Sequence, residues 1–79
     1  VRHGLRLDAI NVRRVKGPDG YFTIAMGVVV YRLIEDKVHE LGLGVELIGD
    51  VVIVKAKSWS SINKLLNYAR SMGISIIED

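Results

Sequence analysis

The run LRLDAINVRRVKGPDGYFTIAMGVVVY, residues 5–31, decides how this chain folds. Two apolar-rich segments flank the only proline of the sequence, inside Gly17-Pro18-Asp19-Gly20. Proline presets the first corner of a turn, aspartate bonds its own backbone, and glycine accepts the left-handed position. The stretch therefore predicts a β-hairpin with residues 17–20 as the loop. In that register Lys16 faces Tyr21, Val15 faces Phe22 and Arg14 faces Thr23. Strict alternation then gathers Leu5, Leu7, Ala9 and Val15 with Phe22, Ile24, Met26, Val28 and Val30 on a core face. The second face receives Arg6, Asp8, Ile10, Val12, Arg14 and Lys16 with Tyr21, Thr23, Ala25, Gly27, Val29 and Tyr31. Asn11 and Arg13 fall on the core face, so a bulge near Ala9-Ile10, or exposure of that end, is expected.

Working outward, residues 32–41 predict a short helix, because Ile34, Val38 and Leu41 recur at helical spacing. No capping residue marks its start, so the helix can begin earlier at the strand's expense. Gly42-Leu43 ends it in the Schellman manner. A second hairpin follows around the two-residue loop Gly49-Asp50, pairing Ile48 with Val51. Ser58 caps a longer helix reaching about Met72, with Trp59, Ile62, Leu65, Leu66, Ala69 and Met72 as its stripe. Gly73-Ile74 repeats the glycine-then-apolar ending, and residues 74–77 form a last strand.

The order β-β-α-β-β-α-β predicts a single α+β domain over residues 1–79. It is a two-layer sandwich with two helices on one face of a mainly antiparallel sheet. From the second strand onward the order is that of a ferredoxin-like fold. There the first strand of the unit is central with both sides occupied. An extra hairpin strand must displace the last strand, giving a rearranged variant, or send it to pair elsewhere, in another subunit.

At 79 residues a single core is marginal. There is no cysteine to staple it, so stability must come from dense aliphatic packing or self-association. Glutamine is absent too, a thermophile-like trait. The longest apolar run is too short to cross a bilayer, and no segment reads as a secretory leader. The expectation is a cytoplasmic protein with no membrane contact. Residues 1–16 carry five cationic side chains against Asp8 alone, while the remainder is mildly acidic. That asymmetry points to an anionic partner or to a solubilised strand edge.

Catalytic constellations are lacking, so no enzyme, cofactor or metal is expected. Glu35 and His39 stand one helical turn apart without a visible third ligand. Ser58 is explained by capping, and Gly42-Leu43-Gly44 follows a helix instead of preceding one. The candidate nucleic-acid-binding residues are Arg6, Arg14, Lys16, Tyr21, Lys55 and Lys57, because cations tracking phosphates and rings stacking on bases hold RNA or single-stranded DNA. The same face carries Ile10, Val12, Val29, Ile48 and Ile53, too much aliphatic surface for water. These predict a self-association interface. The expected function is thus a non-enzymatic, homo-oligomeric module whose basic rim contacts nucleic acid. The alternatives are a protein-interaction or assembly subunit with no nucleic-acid role, and a regulatory domain holding a small ligand between subunits.

Overall fold

The turn at residues 17–20 forms, but it sets a different register from the expected one. A computed structural model describes residues 5–78, so Arg2, His3 and Asp79 lie outside the described residues. The Gly20 N–H donates to the Gly17 carbonyl at 2.9 Å, and the Gly17 N–H to the Tyr21 carbonyl at 2.9 Å. Asp19 accepts the Tyr21 N–H at 3.2 Å, and Gly20 sits at φ 81°. The loop is therefore closed by Gly17 opposite Tyr21, with glycine as its left-handed third residue. Strand β1 (Ala9–Val12) pairs with β2 (Phe22–Gly27) through Asn11–Ala25 and Val12–Ile24. Between the Val12–Ile24 pair and the Gly17–Tyr21 closure, residues 13–16 stand against Phe22 and Thr23.

That one-residue difference exchanges the faces of β1. Ile10 and Val12 are fully buried in the core, and Asn11 points to the opposite face, half-buried. The assignment of Ile10 and Val12 to an exposed interface is thereby corrected. The physical reason is the misfit already visible in the sequence. The expected register sends Asn11 and Arg13 into the apolar layer, where an unpaired polar group is costly. The observed one buries isoleucine and valine, each worth about 1.5–3 kcal/mol.

Strand β2 stops at Gly27 because its ladder ends there. Val51, opposite Gly27, is the first residue of β4 (Val51–Ala56). On the other side the Leu7 carbonyl takes the Gly27 N–H at 3.2 Å. Helix α1 (Val28–Glu40) begins at once, so Val28, Val29, Val30 and Tyr31 are helical, not strand. Val30 extends the buried stripe of Ile34 and Val38 back by one turn. Packing of that stripe overrides the β preference of three successive valines. Both helix endings are as expected. Leu43 N–H bonds to the Val38 carbonyl at 3.2 Å and Ile74 N–H to the Ala69 carbonyl at 3.1 Å, each a Schellman bond.

Strand β3 (Gly44–Ile48) pairs with β4 in the expected register, and α2 (Trp59–Ser71) follows, with β5 (Ser75–Glu78) last. The sheet order is β3-β4-β2-β1-β5. β1 lies between β2 and β5, so the extra strand does displace the last one, which pairs parallel to β1 within the same chain. The other neighbours are antiparallel. Ile24, Met26, Val52 and Val54 of the sheet share one core with Ile34 and Val38 of α1 and Ile62, Leu65 and Leu66 of α2. Both helices therefore cover one face of a mixed five-stranded sheet, an α+β sandwich.

Candidate nucleic-acid interface

The 13–21 loop, the start of β2, the end of β4, the first turn of α2 and the end of β5 meet at one end of the sheet. Tyr21 and Phe22 are neighbours in sequence, so they point to opposite faces there. On the open face the Lys57 ammonium lies 5.6 Å from the centre of the Tyr21 ring. On the helix face the Lys16 ammonium lies 5.6 Å from the Phe22 ring centre. The Arg14 guanidinium stands 5.0 Å from the centre of Trp59, whose ring meets Phe22 edge-on at 5.4 Å. Trp59 is held at the first position of α2 by Ser58, whose hydroxyl accepts the Ser60 N–H at 3.1 Å.

Carboxylates balance part of this charge. Arg14 Nε is 2.8 Å from Glu78, while Lys55 lies 3.4 Å from Glu46 and 3.9 Å from Asp19. Lys16 and Lys57 have no carboxylate within salt-bridge distance among the described residues. They are exposed, and their contacts are with rings.

The candidate residues thus separate into two groups and an outlier. Tyr21, Lys55 and Lys57 lie together on the open sheet face, and Arg14 and Lys16 reach round to the helix face. Arg6 stands apart at the start of β1, where its guanidinium forks onto Asp8 at 2.9 and 3.1 Å. That hydrogen bond holds Asp8 below the usual carboxylate range and raises Arg6. Of the residues expected at an interface, Ile48 and Ile53 are on the open face with Val51. Ile10 and Val12 are core, and Val29 is on α1, 76% exposed. Glu35 and His39 lie on α1, and among the described residues no group of three metal-ligating side chains gathers.

Two features escaped the sequence reading. One is the aromatic pair Phe22 and Trp59: the sequence pattern places both on apolar faces, and the structure sets Lys16 over the first ring and Arg14 over the second. The other is a groove of about 290 Å³ between α1 and β3, with Val45 and Leu47 in its wall and Arg32 and Glu35 at its rim. Tyr31 lines it too, its hydroxyl pushed above the ordinary value by partial burial and then by Glu35. The alternation of Val45 and Leu47 was legible; that β3 is an edge strand was not. Comparisons with protein-family models, curated proteins and solved structures found no match.

Proposed function

We propose that this chain is a non-enzymatic binding module that holds single-stranded nucleic acid at the end of the sheet formed by the 13–21 loop, β4 and α2. The observation that supports this reading is Lys16 on Phe22 and Lys57 on Tyr21. These are exposed cations with no counter-carboxylate among the described residues, each lying on a ring, at the two faces of one sheet end. A lysine over a ring is a ready exchange partner: a base takes the ring face and the ammonium moves to the adjoining phosphate. Base–aromatic stacking contributes about 1–3 kcal/mol per base and tolerates any sequence. Arg14 is placed to follow, because its Glu78 pair is exposed and such pairs are worth under about 1 kcal/mol. In this reading the scaffold is a ferredoxin-like sandwich widened by β1, whose loop supplies the cations.

Fluorescence anisotropy with a labelled single-stranded RNA or DNA tests the proposal. Affinity should fall steeply with salt, and Lys16→Ala or Lys57→Ala should each reduce the log–log salt slope by about one. Tyr21→Ala should weaken binding by about 10–100-fold. Absence of binding at low ionic strength would overturn the reading. So would binding indifferent to Lys16 and Lys57.

A further inference from the structure

We infer that β3 is a self-pairing edge, through which two copies of this chain join their sheets about a two-fold axis at Glu46. The inference stands apart from the nucleic-acid reading and rests on a different part of the molecule.

β3 is a terminal strand of the sheet order β3-β4-β2-β1-β5. Five strands span about 24 Å at their usual spacing, whereas two packed helices cover about 20 Å. Helix α1 packs on β2 and β4 and α2 on β4 and β5, and β3 stands at the margin of the helical layer beside α1. Every residue of β3 is exposed, with Leu47 at 65% and Ile48 at 58%. Glu46 is the one guarding charge on this edge: β3 has no proline, lysine or bulge and pairs with β4 without a break.

The backbone is poised in the same sense. The Gly49-Asp50 loop makes Ile48 and Val51 a hydrogen-bonded pair. By alternation Gly44, Glu46 and Ile48 turn their N–H and C=O groups toward β4. Val45 and Leu47 present theirs outward. Antiparallel pairing centred on Glu46 sets Val45 opposite Leu47 of the second copy, and the outward groups of both residues are then satisfied together.

The side chains identify a second copy as the occupant. Val45 and Leu47 face the groove beside α1, so the two-fold axis joins two such grooves into one apolar floor between two α1 helices. α1 runs antiparallel to β3, and Arg32 and Glu35 stand one turn apart on its groove side. The axis reverses the helix of the second copy, which brings Arg32 of each copy toward Glu35 of the other. The charges of this surface are thus complementary to themselves. The two Glu46 side chains meet on the open face at the axis. Each already lies 3.4 Å from its own Lys55, which offsets their repulsion.

Sedimentation of the free protein over a concentration series, with no nucleic acid present, is the test. The wild type should show a monomer–dimer equilibrium, and Leu47→Lys, exposed in the monomer, should raise the dissociation constant at least about tenfold, equivalent to 1.4 kcal/mol. Arg32→Glu and Glu35→Arg should each weaken the dimer, and the two together should restore it. Circular dichroism checks that each variant is folded. A wild type that stays monomeric at high concentration would overturn the inference, as would a dimer indifferent to Leu47→Lys and to the charge exchange.

Discussion

Asn11 shows how much one side chain decides in this molecule. Its amide donates to the carbonyls of Arg6 at 2.8 Å, Ala25 at 3.1 Å and Ala9 at 3.2 Å, and its oxygen accepts the Arg6 N–H at 3.2 Å. It therefore ties the segment before β1 to the sheet, and Asn11→Ala should cost about 1–3 kcal/mol in chemical denaturation. Gly27 completes that tie. A Cβ there would stand 2.5 Å from the Leu7 carbonyl oxygen, which is backbone and has no room to withdraw. Gly27→Ala is expected to destabilise by roughly 1–3 kcal/mol and to accelerate exchange of the residue 27 amide. Asp8 offers a pH test at the same place. Its depressed value means that the Arg6 pair is intact above the ordinary carboxylate range and is lost as pH falls through the folded-state value. An NMR titration should find Asp8 low in the wild type and back at its ordinary position in Arg6→Ala; both groups are exposed, so the shift should shrink with salt.

Among the elements, the helices were legible at their ends and illegible at one beginning. Glycine followed by an apolar residue marks both Schellman endings. Gly42 and Gly73 take φ of 67° and 80°, so Gly73→Ala should lose about 1–2 kcal/mol. Ser58 announces α2 by its hydroxyl, and Ser58→Ala should lose about 1 kcal/mol. Both losses are read from urea midpoints. α1 has no such signal, since its N-cap is Gly27 and no side chain bonds to it. Its start is set by where β4 runs out of residues to pair with β2. No property of Val28, Val29 or Val30 taken alone reports that. The alternating backbone of β3 gives the element-scale test of the free edge. In dilute protein the amides of Val45 and Leu47 should exchange quickly while that of Glu46 is protected, a pattern that equal protection would contradict.

At the scale of the whole molecule, the consequential event is that β1 enters the sheet between β2 and β5. It gives β5 a parallel partner and carries the 13–21 loop to the end where β4 and α2 finish and start. The proposed nucleic-acid surface descends from it. The sequence by itself determined the element order, the second hairpin's register, both helix endings and the two stripes that face the sheet. These depend on alternation, helical spacing and turn chemistry, which act over a few residues. It also named the cations and rings, though not which of them meet, and it placed Ile10 and Val12 on the wrong face. Only the tertiary structure decided the register of β1, the start of α1, the strand order and hence the edge. Each of these is a competition between distant segments for the same hydrogen bonds or the same core volume. Burial of Ile10 and Val12 in place of Asn11 and Arg13 won the first, and the finite length of β4 won the second. The strand order put β3 at the margin of the sheet, where its residues are exposed.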